Sequence, residues 1–131
     1  MASLQVPQLY RQLLRAGSRA LRPERRLFLA YRDQLRQAFA DPVPLETLAD
    51  ALHRGQTTLQ FIQLAETPNS LEHKTFHNLC YMRLEIQRFE RRRSRSNNIK
   101  RATERAQLVE AYDEYHRVLQ RMNQTLGTAF R

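Results

Sequence analysis

His73, His77 and Cys80 stand at i, i+4 and i+7, a spacing that puts three potential metal ligands on one side of a helix. No second pair of the His-x3-His kind accompanies them. Their shared face lies nearly opposite the apolar row Leu71, Thr75, Leu79 and Met82, so a polar, solvated face is expected rather than a metal site. Glu110, Asp113 and Glu114 read as helix-face charges rather than a general acid and base, and His53 and His116 are isolated. A glycine-rich phosphate loop and a nucleophile elbow are both missing, so no catalytic residue and no metal ligand is assigned. The residue type that dominates is arginine. Of 22 basic side chains only Lys74 and Lys100 are lysines, against 13 acidic ones, for a net charge of +9. Guanidinium groups grip carboxylates and phosphates in bidentate fashion, which suits docking on an acidic surface. A basic surface that serves solubility alone is the plainer alternative.

These side chains must be carried by helices. Three glycines and five prolines in 131 residues are too few for the frequent turns of a β-domain. The spacing predicts an all-α chain with five helical segments. The first covers roughly Pro7 to Leu21, with Val6, Leu9, Tyr10, Leu13, Leu14, Gly17, Ala20 and Leu21 on one arc. Arg11, Arg15, Arg19 and Arg22 share the opposite arc, and no acidic residue precedes Glu24. After Pro23, Glu24 opens a second helix to about Ala40, with Leu27, Phe28, Tyr31, Leu35, Ala38 and Phe39 facing inward. Asp41-Pro-Val-Pro44 is a rigid break.

The third helix is expected from Leu45 to Glu66, buried along Leu45, Leu48, Leu52, Leu59 and Ile62. Gly55 interrupts that row and suits close packing, room for a ligand, or a tolerated defect. Thr67-Pro-Asn-Ser70 breaks the chain again. Asn69 or Ser70 caps the fourth helix, and Asn69 with Glu72 has the spacing of a capping box. Its seam reads Leu71, Thr75, Leu79, Met82, Ile86 and Phe89, before the polar run Glu90 to Asn98. A fifth helix resumes near Ile99, with Ala102, Ala106, Val109, Tyr112, Leu119 and Met122 inward, and ends near Gly127. Helices four and five form either a hairpin or one rod.

A chain of this size supports one modest core. Hydrophobic residues at 41% favour folding over disorder. One cysteine excludes an internal disulfide and a multi-cysteine zinc site, which fits a reducing compartment or the mitochondrial matrix. No apolar run approaches the roughly 20 residues that span a bilayer, and the opening twenty residues lack a secretory signal. The acid-free first helix has the make-up of a mitochondrial targeting helix that is retained after import. A membrane-surface role competes poorly, because its apolar face is needed for the core.

Leu9-Tyr10-Arg11 is followed by Leu13-Leu14-Arg15 on that helix, and the second helix ends in Tyr31-Arg-Asp-Gln-Leu-Arg-Gln-Ala-Phe39. Over about residues 4–66 this pattern resembles the LYR-motif family of small mitochondrial proteins. The resemblance implies a three-helix LYR-type bundle (about 7–66), followed by one or two long C-terminal helices. It implies a non-catalytic adaptor in the mitochondrial matrix whose partner is mitochondrial acyl carrier protein. The protein would need no cofactor of its own, because the acyl-4′-phosphopantetheine belongs to that carrier. Leu9, Tyr10, Arg11, Arg15, Arg32 and Arg36 are placed by the resemblance at the carrier. Phe39 matches the family's second-helix phenylalanine beside the acyl tunnel. Candidate tunnel residues are Leu13, Leu14, Leu35, Phe39, Leu52, Leu59 and Ile62, each of which also suits ordinary helix packing.

The region 67–131 extends beyond the family pattern. Arg91, Arg92, Arg93, Arg95, Lys100 and Arg101 put six basic residues into eleven positions. Such a cluster can neutralise RNA phosphates, and the scarcity of nearby rings favours backbone contact over base stacking. A solvated charged linker is the alternative. Residues 1–40 carry eight basic and two acidic side chains, residues 41–70 one and four, and residues 71–131 thirteen and seven. Two basic regions flanking an acidic middle suggest two acidic partners; among the assemblies that the resemblance implies, the arginine run points to ribosomal RNA and proteins of the mitochondrial large subunit as the second. The rival expectation is an assembly factor for a respiratory-chain complex or ATP synthase. A helical RNA-binding ribosomal protein with an accidental Leu-Tyr-Arg is a further one.

Overall fold

The structure, a computed structural model, describes residues 2–95 and 102–131, with side chains described over 5–92 and 106–131. Among the described residues there are five α-helices and no strand: α1 Ala2–Ala20, α2 Arg25–Ala40, α3 Leu48–Leu64, α4 Leu71–Arg95 and α5 Ala102–Leu126. None of them is long and apolar enough to cross a membrane.

α1 and α2 follow the apolar spacing closely. Leu9, Leu13, Ala16, Ala20 and Leu21 meet Leu27, Ala30, Tyr31 and Leu35 in one buried cluster. Helix one starts earlier than expected, so Pro7 lies inside it and removes one backbone bond there. The Tyr31 hydroxyl donates to the Leu13 carbonyl at 2.6 Å, which ties α2 to α1. A Cβ at Gly17 would fall within the Tyr31 ring, so the two helices approach this closely only because residue 17 is glycine. Glu24 is the residue before α2 and makes no side-chain cap; its carbonyl accepts from Phe28 N at 3.1 Å.

α3 begins three residues later than the spacing suggests. Residues 45–47 form a turn, with Thr47 N donating to the Pro44 carbonyl at 3.0 Å. Leu45, expected in the buried row, is therefore 88% exposed. At the start of α4 the cap is Ser70, not Asn69: its Oγ accepts from His73 N at 3.1 Å and donates to the Thr67 carbonyl at 2.9 Å. Asn69 instead takes a left-handed backbone, φ 66, to make the turn.

The inward face of α4 is also corrected. Phe76 and Cys80 are buried at 1% and 5%, whereas Leu71 is 76% exposed and Thr75, Leu79 and Met82 are half-buried. His73 and His77, expected on a solvated face, turn inward. His73 Nδ1 meets the Ala65 carbonyl at 2.8 Å and His77 Nε2 the Ala20 carbonyl at 3.0 Å. With the carbonyls accepting, each ring satisfies a helix-end oxygen that would otherwise be orphaned. The helix also continues to Arg95, through the start of the polar run.

α1 packs on α2 and α3, and α4 packs on the same two helices from the other side. The four make a bundle in which α2 and α3 stand diagonally. Phe89 meets Tyr112 edge-on at 5.3 Å, and Phe130 returns to within 6.3 Å of Phe76. The chain therefore doubles back, and α4 and α5 are a hairpin rather than a rod. Among the described side chains of α5 Leu119 is the buried one, while Ala106, expected inward, is exposed and the side chain of Ala102 lies outside the described residues. Gly127 ends α5 with φ 69, and Thr128 N donates to the Asn123 carbonyl at 3.2 Å, closing a Schellman turn.

Candidate functional site

The bundle is tight at one end and hollow at the other. A cavity of about 410 Å³ lies between the four helices, within the roughly 300–1,000 Å³ usual for ligand pockets. Of its lining, Tyr31, Ile62, Phe76 and Cys80 are buried and make the floor, while Val6, Phe39 and Leu48 are half-buried and Val43 is exposed, on the side of the mouth. Its walls are predominantly apolar. Gly55 belongs to the α3 wall; a Cβ there would stand 2.6 Å from Leu9 Cδ2, so this glycine serves close packing against α1.

Five of the residues expected in a tunnel line this space: Leu13, Leu35, Phe39, Leu52 and Ile62. Leu14 is half-buried and Leu59 buried, but both pack in the core outside the cavity. Leu9, expected on a partner-facing surface, is 6% exposed and forms part of the wall, so it is unavailable to a docking protein. Spacing alone did not reveal Phe76, Cys80 or residues 129–131 as lining. For α4 the signal was Phe76 itself, the one phenylalanine within the helix's first two turns.

The arginines divide. Arg11 and Arg15 are exposed on α1 and, among the described residues, form no ion pair. Tyr10, beside them, stacks edge-on against Phe39 at 5.3 Å, which links the basic face to the cavity wall. Arg32 is half-buried with a long 3.9 Å approach to Asp33. Arg36 lies elsewhere, bordering a shallow polar hollow between α2 and α4 with Asp33, Gln87, Glu90 and Arg91. Arg91 and Arg92 are exposed on the last described turns of α4. Arg93 and Arg95 belong to α4, but their side chains, like Lys100 and Arg101, lie outside the described residues.

Burial governs ionisation around the floor. It pushes the Cys80 thiol and the Tyr31 phenol far above their usual values, with Tyr31 raised further by Cys80 and then Tyr10. Tyr115, on α5, is pushed up to about 12, again chiefly by burial, then by Cys80 and against the opposing pull of Arg83. A neutral thiol is a poor nucleophile. Among the described residues no three His, Cys, Asp or Glu side chains are grouped to hold a metal ion. What the site offers chemically is an apolar slot near the exposed positive charges of Arg11 and Arg15. Comparison with protein-family models, with curated proteins and with solved structures finds no match.

Proposed function

We propose that the protein is a non-catalytic adaptor of the LYR type that binds an acylated acyl carrier protein in the mitochondrial matrix. The observation that carries this reading is the apolar cavity of about 410 Å³ joined, through the edge-on Tyr10–Phe39 contact, to the exposed Arg11 and Arg15. The carrier is a strongly acidic helical protein, so these arginines steer it and form charge-assisted hydrogen bonds with its carboxylates. Its phosphopantetheine arm then delivers an acyl chain into the cavity. A chain of about twelve carbons gains roughly 10 kcal/mol of gross burial at about 0.8 kcal/mol per methylene, before the cost of association. That gain is what a core left hollow needs.

On this reading the arginine-rich end of α4 anchors the pair on a large assembly, with the large subunit of the mitochondrial ribosome foremost. The run of basic residues from Arg91 supports RNA backbone as the counterpart. A second reading, an assembly factor gripping a protein client of a respiratory complex or ATP synthase, draws on Val118 and Leu126, which α5 leaves 54% and 46% exposed.

Co-expression with a mitochondrial acyl carrier should yield a soluble one-to-one complex whose mass includes the acylated prosthetic group. A carrier lacking its attachment serine should not co-purify. If that mutant carrier co-purifies as well as the acylated one, the cavity is not the acyl site and the proposal fails.

A further inference from the structure

α2 and α3 stand across the bundle from one another, packed on α1 and α4. The gap between them is bridged by the short segment that follows α5. Ala129 N donates to Thr58 Oγ1 of α3 at 2.9 Å, and Gln34 of α2 donates to the Arg131 carbonyl. The Arg131 guanidinium pairs with Asp41 at 3.1 Å, just past the end of α2. Phe130 lies edge-on to Phe61 of α3 at 5.3 Å. Ala129, Phe130 and Arg131 all line the cavity, so on this side its wall is one strap of chain.

The strap is attached differently at its two ends. Toward α5 it is held by one side chain outside the cavity, Asn123. Its Oδ1 accepts from Thr128 Oγ1 at 2.8 Å and Phe130 N at 2.9 Å, and its Nδ2 donates to the Phe130 carbonyl at 2.6 Å. Toward α2 and α3 it is held by the Phe130 ring against Phe61 and by single polar contacts, of which those to Gln34 and Asp41 are exposed. Exposed pairs of this kind contribute little each. The left-handed Gly127 joins the strap to α5 and supplies a pivot.

From this arrangement we infer that residues 128–131 act as a latch over the cavity: the strap lifts from α2 and α3 to admit an acyl chain sideways and then closes on it. The inference rests on the reading of the cavity as an acyl site, and names what regulates residence there. Exit of the chain is slow while Asn123 holds the strap down, and Phe130 is the apolar inner surface of the latch.

The test uses the full chain and a fluorescent fatty acid displaced by excess dodecanoate, with dissociation followed by stopped flow. Asn123→Ala should release the probe about tenfold faster than wild type, since such changes act mainly on dissociation. Helical circular dichroism should stay the same. Phe130→Ala should behave alike and serves if the first variant folds poorly. Amide exchange in residues 127–131 should slow when dodecanoate binds the wild type. Equal release rates, tighter binding by Phe130→Ala, or exchange indifferent to the lipid would each overturn the latch while leaving the acyl site standing. Failure of the wild type to bind the probe would remove both.

Discussion

The two ends of the bundle are built by the same helices but not to the same density. At the floor and just beneath it, Leu21, Ile62, Ala65 and Phe76 are at most 1% exposed, and Tyr31 meets Phe76 edge-on at 5.4 Å. His73 and His77 close that end by meeting the Ala65 carbonyl just past α3 and the Ala20 carbonyl that ends α1. Toward the mouth, Leu48, Leu52 and Phe39 are only half-buried around empty space. Protein interiors are normally packed like organic crystals, so a void of this size marks a division of labour. One end is filled by its own side chains, and the other leaves open volume.

That contrast can be broken by substitution. The largest effect is expected at the floor, where Phe76→Ala should cost about 3–5 kcal/mol in urea unfolding. A similar cost for Leu52→Ala would mean that the mouth is as well packed as the floor. Overfilling separates the ends as well. Gly17→Ala drives a methyl into the Tyr31 ring and should destabilise by about 1–3 kcal/mol, while Leu52→Phe, which grows into open volume, should stay within about 1 kcal/mol.

Alkaline titration sharpens the comparison further, because the groups raised most strongly belong to the floor. The folded protein keeps Cys80 and Tyr31 protonated, whereas the unfolded chain ionises them near their ordinary values of 9.0 and 10.0. The folded state then binds more protons, so their contribution is complete below about pH 9 and is lost as pH rises. Each group should remove about 1.4 kcal/mol per pH unit beyond its unfolded value, and Cys80→Ala should abolish the earlier part of that slope. The smallest effect is expected on the outer face: Arg11→Glu should change stability by less than about 0.5 kcal/mol. In contrast, the same change should abolish carrier capture in a pull-down. An unfolded Arg11→Glu protein would make the arginine a structural residue instead.

The helices were legible from spacing where one face is uniformly apolar, as in α1 from Leu9 to Leu21 and α2 from Leu27 to Phe39. Spacing misleads on α4, because the inward residues include two histidines whose ring nitrogens serve carbonyls outside the helix, Ala65 just before it and Ala20 at the end of α1. No local pattern announces such a partner. Leu45 falls outside the buried row because the turn at Pro44 consumes three residues before Leu48 can enter a helix. The cavity was legible only as a set of apolar positions: Leu13, Leu35 and Leu52 look the same in a filled core and in an empty one. Whether they meet one another is decided by how far α2 and α3 stand apart. Residues 129–131 gave a fainter signal, an aromatic residue three places after a helix-ending glycine.

The position of Cys80 has a practical consequence. It is the only thiol in the chain, 5% exposed, and it belongs to the floor of the hollow. Any molecule that fills the hollow stands between a small alkylating reagent and the sulfur, so the protein carries its own gauge of occupancy. The rate of thiol labelling, read with and without a guest, reports how full the interior is without altering a single residue.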